Sequence, residues 1–213
     1  MAPAYHRGDS RPSRNFRYYP PVTALAPAVF LDRDGTLIED AGYLDSLDRL
    51  TLLPSTVDAL RVLARGGHRL VVITNQSGIA QGLFDEAFVT RTHDALQARL
   101  TAAGARIDGW YYCPHHPRGQ VPALTTTCDC RKPAPGLVRQ AASDLGLDLS
   151  KSWMIGDRWG DVTLAPNAGL RGGILVRTGQ GRVAEQHPVD GTQAAYVADD
   201  VMDAAAWILR QGA

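Results

Sequence analysis

Two aspartates stand two residues apart in Asp32-Arg33-Asp34-Gly35-Thr36, directly after the apolar run Ala28-Val29-Phe30-Leu31. A second pair, Asp157 and Asp161, follows the apolar run Trp153-Met154-Ile155. Asp-Gly is common turn chemistry, so the first pair alone marks no more than a strand-to-loop turn. Carboxylates at matching places on two strands say more. Facing each other across a crevice, they suit Mg²⁺, a hard cation that takes oxygen ligands and keeps several waters. A different cluster lies further along: Cys113, His115, His116, Cys128 and Cys130 supply three thiols and two imidazoles within 18 residues. A C-x-H followed by a C-x-C can close a tetrahedral Cys₃His zinc site, and a site closed in ligand count is structural. The chain has no C-x-x-C, which argues against a redox role.

The elements that must position these groups can be read from hydrophobic pattern. Ala28–Leu31, Leu70–Ile73, Ile107–Tyr112, Trp153–Ile155, Gly173–Val176 and Ala195–Ala198 have the length and composition of buried strands. Helical spacing separates them. One helix opens at Pro54-Ser55, where Ser55 and Asp58 have the form of a capping box. It buries Val57, Leu60, Leu63 and Ala64 and stops at Gly66-Gly67. Asp85 caps a longer helix with Phe88, Ala95, Leu96, Leu100 and Ala103 on one face, closing at Gly104. Further helices are expected over 135–145, from 161 to a kink or stop at Pro166, and over 201–210. Strands alternating with helices predict an α/β, doubly wound, mostly parallel sheet. Ligands bind beyond the carboxyl ends of such strands. Asp32, Thr74 and Asp157 fall there, on three different strands.

The chain has 213 residues, with 22 basic and 22 acidic side chains. This neutral total argues against a broad basic face for nucleic acid, while leaving room for a few cations around a small anion. No apolar stretch reaches the roughly 18 residues of a membrane span. Residues 1–27 carry four Arg and five Pro without helical or strand periodicity and read as an N-terminal arm, with 28–213 as the domain. Clustered cysteines, odd in number, fit a metal site in a reducing, cytoplasmic compartment better than a disulfide framework.

Taken in order, Asp32-x-Asp-Gly-Thr36, Thr74-Asn75, Lys132, and Gly156-Asp157 with Asp161 resemble the four motifs of the haloacid dehalogenase superfamily of phosphatases. The resemblance implies that Asp32 is a nucleophile forming an aspartyl-phosphate, and that Asp34 is the general acid and base. It implies Mg²⁺ held by Asp32, the Asp34 carbonyl and Asp157, with Thr74 and Lys132 gripping the phosphoryl oxygens. Asp161 is either an outer neighbour of the metal or a helix N-terminal charge.

The zinc loop narrows the resemblance to two groups of that superfamily, the heptose 1,7-bisphosphate 7-phosphatases and the histidinol-phosphatases. Tyr111-Tyr-Cys-Pro-His-His-Pro117, Asn75-Gln-Ser-Gly-Ile-Ala80, Cys128-Asp-Cys-Arg-Lys-Pro133, Val176-Arg-Thr-Gly179 and Gly42-Tyr43 are similar to the heptose group. In that pattern Cys113, His115, Cys128 and Cys130, not His116, are the zinc ligands. Gln81 stands where the group often has Arg, and Arg158 where it often has Lys. The spacing leaves no room for a cap domain, so loops must give specificity. Asn75, Gln76, Arg131, Arg158 and Arg177 are the candidates for substrate contacts. The expected partner is a small phosphorylated sugar, with no nucleic acid and no membrane, acting on a cytoplasmic monomer. The alternatives are a histidinol-phosphate phosphatase, a DNA 3′-phosphatase, which the neutral composition disfavours, and a zinc-stabilised binding module, which the intact catalytic set disfavours.

Overall fold

The structure, a computed structural model, describes residues 25–212. The predicted arm therefore falls almost wholly outside the described residues. Its last residues already belong to the body: Ala26 N–H donates to the Gly146 carbonyl and its own carbonyl accepts from Asp148 N–H.

Six strands form one sheet: β1 (Ala28–Leu31), β2 (Arg69–Asn75), β3 (Gly109–Cys113), β4 (Trp153–Gly156), β5 (Gly172–Val176) and β6 (Tyr196–Ala198). Their order is β3-β2-β1-β4-β5-β6, and every pairing is parallel. The mostly parallel expectation becomes fully parallel. Helices α1 (Thr56–Arg65), α2 (Glu86–Ala102), α3 (Gly136–Leu145), α4 (Trp159–Ala168), α5 (Gly181–Gln186) and α6 (Val201–Gln211) supply the crossovers and the outer layers. Successive strand residues point to opposite faces. Val29 and Leu31 pack with Leu60 and Leu63 of α1 and Ala204 and Ile208 of α6. Ala28 and Phe30 pack with Val138 and Ala141 of α3 and Leu164 and Ala165 of α4. Burial on both faces is why the strands read as continuous apolar runs without alternation.

Several local expectations are corrected. Ser55 precedes α1 but makes no side-chain cap, because its backbone is already helical (φ −84°, ψ −7°). The Thr56 hydroxyl instead donates to the Leu37 carbonyl, tying α1 to the loop after β1. Ala59, not Ala64, completes the buried stripe of α1. In α2 the cap is as expected, with Phe88 N–H donating to Asp85 Oδ1 at 2.7 Å. Its buried stripe is Val89, His93, Leu96 and Leu100, with Thr92 beside it, and Ala103 is exposed. Pro166 neither stops nor shortens α4, which continues to Ala168 and ends at left-handed Gly169.

No separate cap domain interrupts the described residues. The chain from Asp32 to Thr74 is a loop with one 3₁₀ turn (Leu47–Arg49), then α1 and β2. That loop is anchored by Ile38, Leu44 and Leu50 against Leu96. Close approach fixes one glycine here: a Cβ on Gly173 of β5 would lie 2.7 Å from the Val162 backbone of α4. Gly173→Ala is expected to cost about 1–3 kcal/mol through overpacking, read as a lower urea midpoint with the m-value unchanged.

Candidate active site

In the order β3-β2-β1-β4-β5-β6 the chain reverses direction across the sheet between β1 and β4, the place where open α/β sheets form a ligand crevice. Asp32 leaves β1 there, and its N–H donates to the Ile155 carbonyl of β4 at 2.9 Å. Asp157 leaves β4 one residue past its end. Carboxylate oxygens of Asp32, Asp157 and Asp161 lie within 4.8 Å of one another, and all three residues are buried. Lys132 Nζ lies 2.8 Å from Asp32 Oδ1 and 2.6 Å from Asp161 Oδ1. Four of the groups expected to meet do so, beside a cleft of about 340 Å³ lined by Asp32, Lys132 and Asp161 together with Asp34, Thr74, Asn75, Gln76, Arg131 and Arg158.

Three carboxylates against one ammonium leave excess negative charge in a desolvated place. Burial pushes the Asp32 carboxyl up to about 6, with Lys132 opposing and Asp161 adding to the rise. Burial and then Asp32 push Asp157 up to about 7. Burial disfavours the Lys132 ammonium, but Asp161 and Asp32 outweigh it and its pKa rises. The donor set fits a divalent cation on a second ground. Asp157 Oδ1 is buried without a hydrogen-bond partner, whereas Oδ2 accepts from Gln180 N–H at 2.8 Å. Asp161 is less free. Its Oδ2 accepts from Arg158 N–H at the start of α4 while Oδ1 holds Lys132, so it serves both as a helix N-terminal charge and as a neighbour of the cluster.

Backbone shape makes the crowding possible. Gly35 has φ +77°, and a Cβ on it would lie 2.2 Å from Asp157 Oδ2. Gly179 has φ +54° and would put a Cβ 2.3 Å from the same oxygen. The Thr178 hydroxyl donates to the Gly35 carbonyl at 2.6 Å. With Gln180 N–H on Asp157, the segment 178–180 therefore holds the loop after β1 and the end of β4 together. Arg177, expected to contact substrate, is corrected on this point: it is absent from the cleft lining and forks onto Glu185 at 2.6 and 2.7 Å and Asp199 at 2.7 Å.

The other candidates divide. Asn75 spends both ends of its amide on Lys132, accepting from its N–H and donating to its carbonyl. Gln76 donates to Asp34 Oδ2 and to Thr74 Oγ1. Both line the cleft, but their side chains hold other site residues. Arg131 donates to the His115 carbonyl, and Arg158, 61% exposed, reaches Asp40 Oδ2. Gln81 faces away, donating to the Arg118 carbonyl. Asp40, which no motif in the sequence singles out, accepts from both Arg158 and Gln180. Nor does any motif point to the buried Arg33–His93 contact of 3.4 Å. The placing of His93 on the stripe Val89, His93, Leu96, Leu100 was a signal available for the second.

The second cluster forms as expected from spacing. Cys113, His115, Cys128 and Cys130 present ligand atoms within 4.8 Å of one another. Sulfur–sulfur separations are 3.1, 3.2 and 3.5 Å. These approach the roughly 3.8 Å edge of a tetrahedron with Zn–S bonds of about 2.3 Å. His115 Nδ1 lies 3.3 Å from Cys130 Sγ, while His116 Nδ1 accepts from Arg118 N–H outside the cluster.

A parallel sheet with buried aspartates at the ends of both strands of its switch point, a lysine against them and no cap among the described residues defines a haloacid dehalogenase-like phosphatase. The "HAD-hyrolase-like" family model matches residues 129–204. The D-glycero-beta-D-manno-heptose-1,7-bisphosphate 7-phosphatase of Yersinia pestis is 42% identical over 164 residues, covering 77% of this chain and 87% of that one. The protein of the same name from Escherichia coli (strain K12) is 44% identical over 154 residues, covering 72% and 81%. A crystal structure of D,D-heptose 1,7-bisphosphate phosphatase from B. bronchiseptica, complexed with magnesium and phosphate, superimposes with a TM-score of 0.77 at 33% identity, over 87% of this chain and 99% of that one. The chain belongs to the haloacid dehalogenase-like family of the heptose-1,7-bisphosphate 7-phosphatases.

Proposed function

We propose that the chain hydrolyses the 7-phosphate of D-glycero-D-manno-heptose 1,7-bisphosphate, in nucleotide-heptose biosynthesis, through an aspartyl-phosphate on Asp32. The observation that carries this reading is the buried Asp32–Lys132–Asp157 constellation at the sheet's switch point, in a chain 42–44% identical to proteins named for that reaction. Asp32 attacks phosphorus in line, and the bond from phosphorus to the sugar oxygen breaks. Asp34 gives its proton to that departing oxygen, then takes one from the water that cleaves the aspartyl-phosphate and frees inorganic phosphate. The Thr74 hydroxyl and the Lys132 ammonium neutralise the transferred oxygens, with Asn75 holding the Lys132 backbone in register.

Asp32, Asp157 and the Asp34 carbonyl would hold Mg²⁺, which when bound lowers the repulsion between carboxylate and phosphate. Cys113, His115, Cys128 and Cys130 would hold a structural zinc ion. Arg131 and Arg158 on the cleft walls offer charge to the distal phosphate of a bisphosphate. The reading takes the protein to be a cytoplasmic monomer without nucleic-acid or membrane partners. Among the described residues no helix is long and apolar enough to cross a membrane.

The test is phosphate release with Mg²⁺ from both anomers of the heptose bisphosphate, histidinol phosphate and a 3′-phosphorylated oligonucleotide. The heptose bisphosphate is expected to exceed the others in kcat/KM by about 100-fold or more. Activity confined to histidinol phosphate or to the oligonucleotide would overturn the assignment.

A further inference from the structure

Arg33 is an arginine with almost no access to water, 2% exposed, between the two aspartates of the first motif. Its guanidinium is committed on two sides. Nε and Nη2 fork onto the two oxygens of Asp34 at 3.1 and 3.0 Å. Nη1 lies 3.4 Å from Nε2 of His93, on α2 and 60 positions away in sequence. A guanidinium can only donate, so His93 Nε2 must carry its lone pair toward Arg33 and the ring must be neutral. Burial and then Arg33 hold the His93 imidazolium pKa down to about 3, in keeping with that state.

The ring itself is fixed by packing. It stacks on Trp110 with centroids 4.7 Å apart and planes 24° from parallel, and meets Tyr112 edge-on at 6.0 Å. Trp110 is fixed in turn by its Nε1–H, which donates to Gln97 Oε1. A buried imidazole is costly where an apolar side chain would pack as well, so its polarity calls for a reason. The contact with Arg33 supplies one. Without an acceptor on its far side, the guanidinium loses the atom that sets its rotation about the Asp34 fork.

We infer that His93 is a positioning residue for the proposed acid and base: through Arg33 it sets where the Asp34 carboxyl stands relative to the departing sugar oxygen. The inference rests on the reading of Asp34 given above. His93 touches neither Asp32 nor the metal-binding set, so it acts on proton delivery and not on phosphate grip. A sugar alkoxide is a poor leaving group and needs the proton; p-nitrophenolate is a good one and leaves without it. The two substrates therefore separate the roles. Because kcat/KM reports events up to departure of the leaving group, later hydrolysis of the aspartyl-phosphate does not enter.

The experiment measures kcat/KM of wild type, His93→Phe, His93→Gln and Asp34→Asn with the heptose bisphosphate and with p-nitrophenyl phosphate. His93→Phe keeps the stacking surface and removes the acceptor. It is expected to lower kcat/KM about 10-fold or more on the sugar phosphate, with p-nitrophenyl phosphate hydrolysis held within about twofold. The retained aryl activity also shows that the variant folds. His93→Gln, which restores an acceptor to Arg33, is expected to recover most of the loss. Asp34→Asn calibrates the method with a larger loss in the same selective sense. If Asp34→Asn is selective while His93→Phe is silent or slows both substrates alike, the inference about His93 fails and the reading of Asp34 stands. If Asp34→Asn slows both substrates alike, the acid–base reading falls and the inference falls with it.

Discussion

Asp32→Asn is expected to abolish turnover, by on the order of 10⁴-fold or more, while leaving the protein folded and its zinc content unchanged. The loss follows because the amide cannot form the aspartyl-phosphate, and no neighbour can take its place. Asp157 is clamped by Gln180 N–H, and Asp161 is occupied by Lys132 and Arg158 N–H. Stability moves the other way. Asp32 is a buried carboxylate whose ionisation is opposed by burial and by Asp161. Removing its charge relieves repulsion, and Lys132 keeps Asp161 as a partner at 2.6 Å. The thermal midpoint is therefore expected to stay level or rise by a few degrees, in the manner of active sites whose strain is released by mutation. Phosphate release and differential scanning calorimetry on the same preparation check both halves. Substantial remaining activity would refute the nucleophile, and a large fall in midpoint would refute the electrostatic account.

Cys130→Ser is the second large effect. Cys130 precedes Lys132 by two residues, and Cys113 ends β3, where its carbonyl accepts from Gln76 N–H at 2.8 Å. The cluster thus ties the end of β3 to the segment that carries Lys132. Regular structure in between is confined to one 3₁₀ turn, Pro122–Leu124, and the middle of the loop is tied to Ala80 and Gln81, not to the segment that carries Lys132. Zinc content is expected to fall from about one ion per chain to near zero, since a closed site contributes folding energy outright. Misplacement of Lys132 by about 1 Å then costs on the order of 10²-fold in kcat/KM. Metal analysis, limited proteolysis across residues 114–129 and kinetics read the three consequences together. His116→Ala is the contrasting variant and should keep its zinc, because the His116 ring lies outside the cluster and accepts from Arg118 N–H.

The core of this molecule was legible because buried parallel strands announce themselves. Ala28–Leu31 is bounded in the structure as in the sequence reading, and each of the six expected strands exists. The reason is physical: with both faces covered, the middle of such a strand is apolar, and the first polar residue after that run lies at the crevice, either just past the strand or, as with Thr74 of β2, in its last two residues. Asp32 and Asp157 are those first polar residues. Helix detail was less legible, since it depends on partners far away in sequence. Ser55 looked like a cap, but Thr56 is drawn to the Leu37 carbonyl and the turn tightens around that bond. Pro166 looked like a stop, yet it sits near the end of α4, where the helix needs only to reach Gly169.

The site divides in the same way. Groups at strand ends and the cysteines with ligand spacing were found from local pattern, because topology alone brings them together. Arg177 lies outside the cleft lining because it pairs with Glu185 and Asp199, while the residues after it hold the site: Thr178 bonds the Gly35 carbonyl and Gln180 N–H bonds Asp157. Arg33 carried no expected role between its two aspartates. Its contact with His93 comes from a helix 60 positions away, which no local window contains. Asp40 was likewise invisible until the fold brought Arg158 and Gln180 to it.

The most direct test of the whole account follows the phosphorus atoms themselves. The heptose 1,7-bisphosphate, incubated with the protein and Mg²⁺, is observed by ³¹P NMR as the reaction proceeds. The 7-phosphate resonance is expected to disappear while inorganic phosphate grows in equal amount and the anomeric phosphate persists. Loss of the anomeric phosphate first, or no change in either resonance, would contradict the proposed reaction.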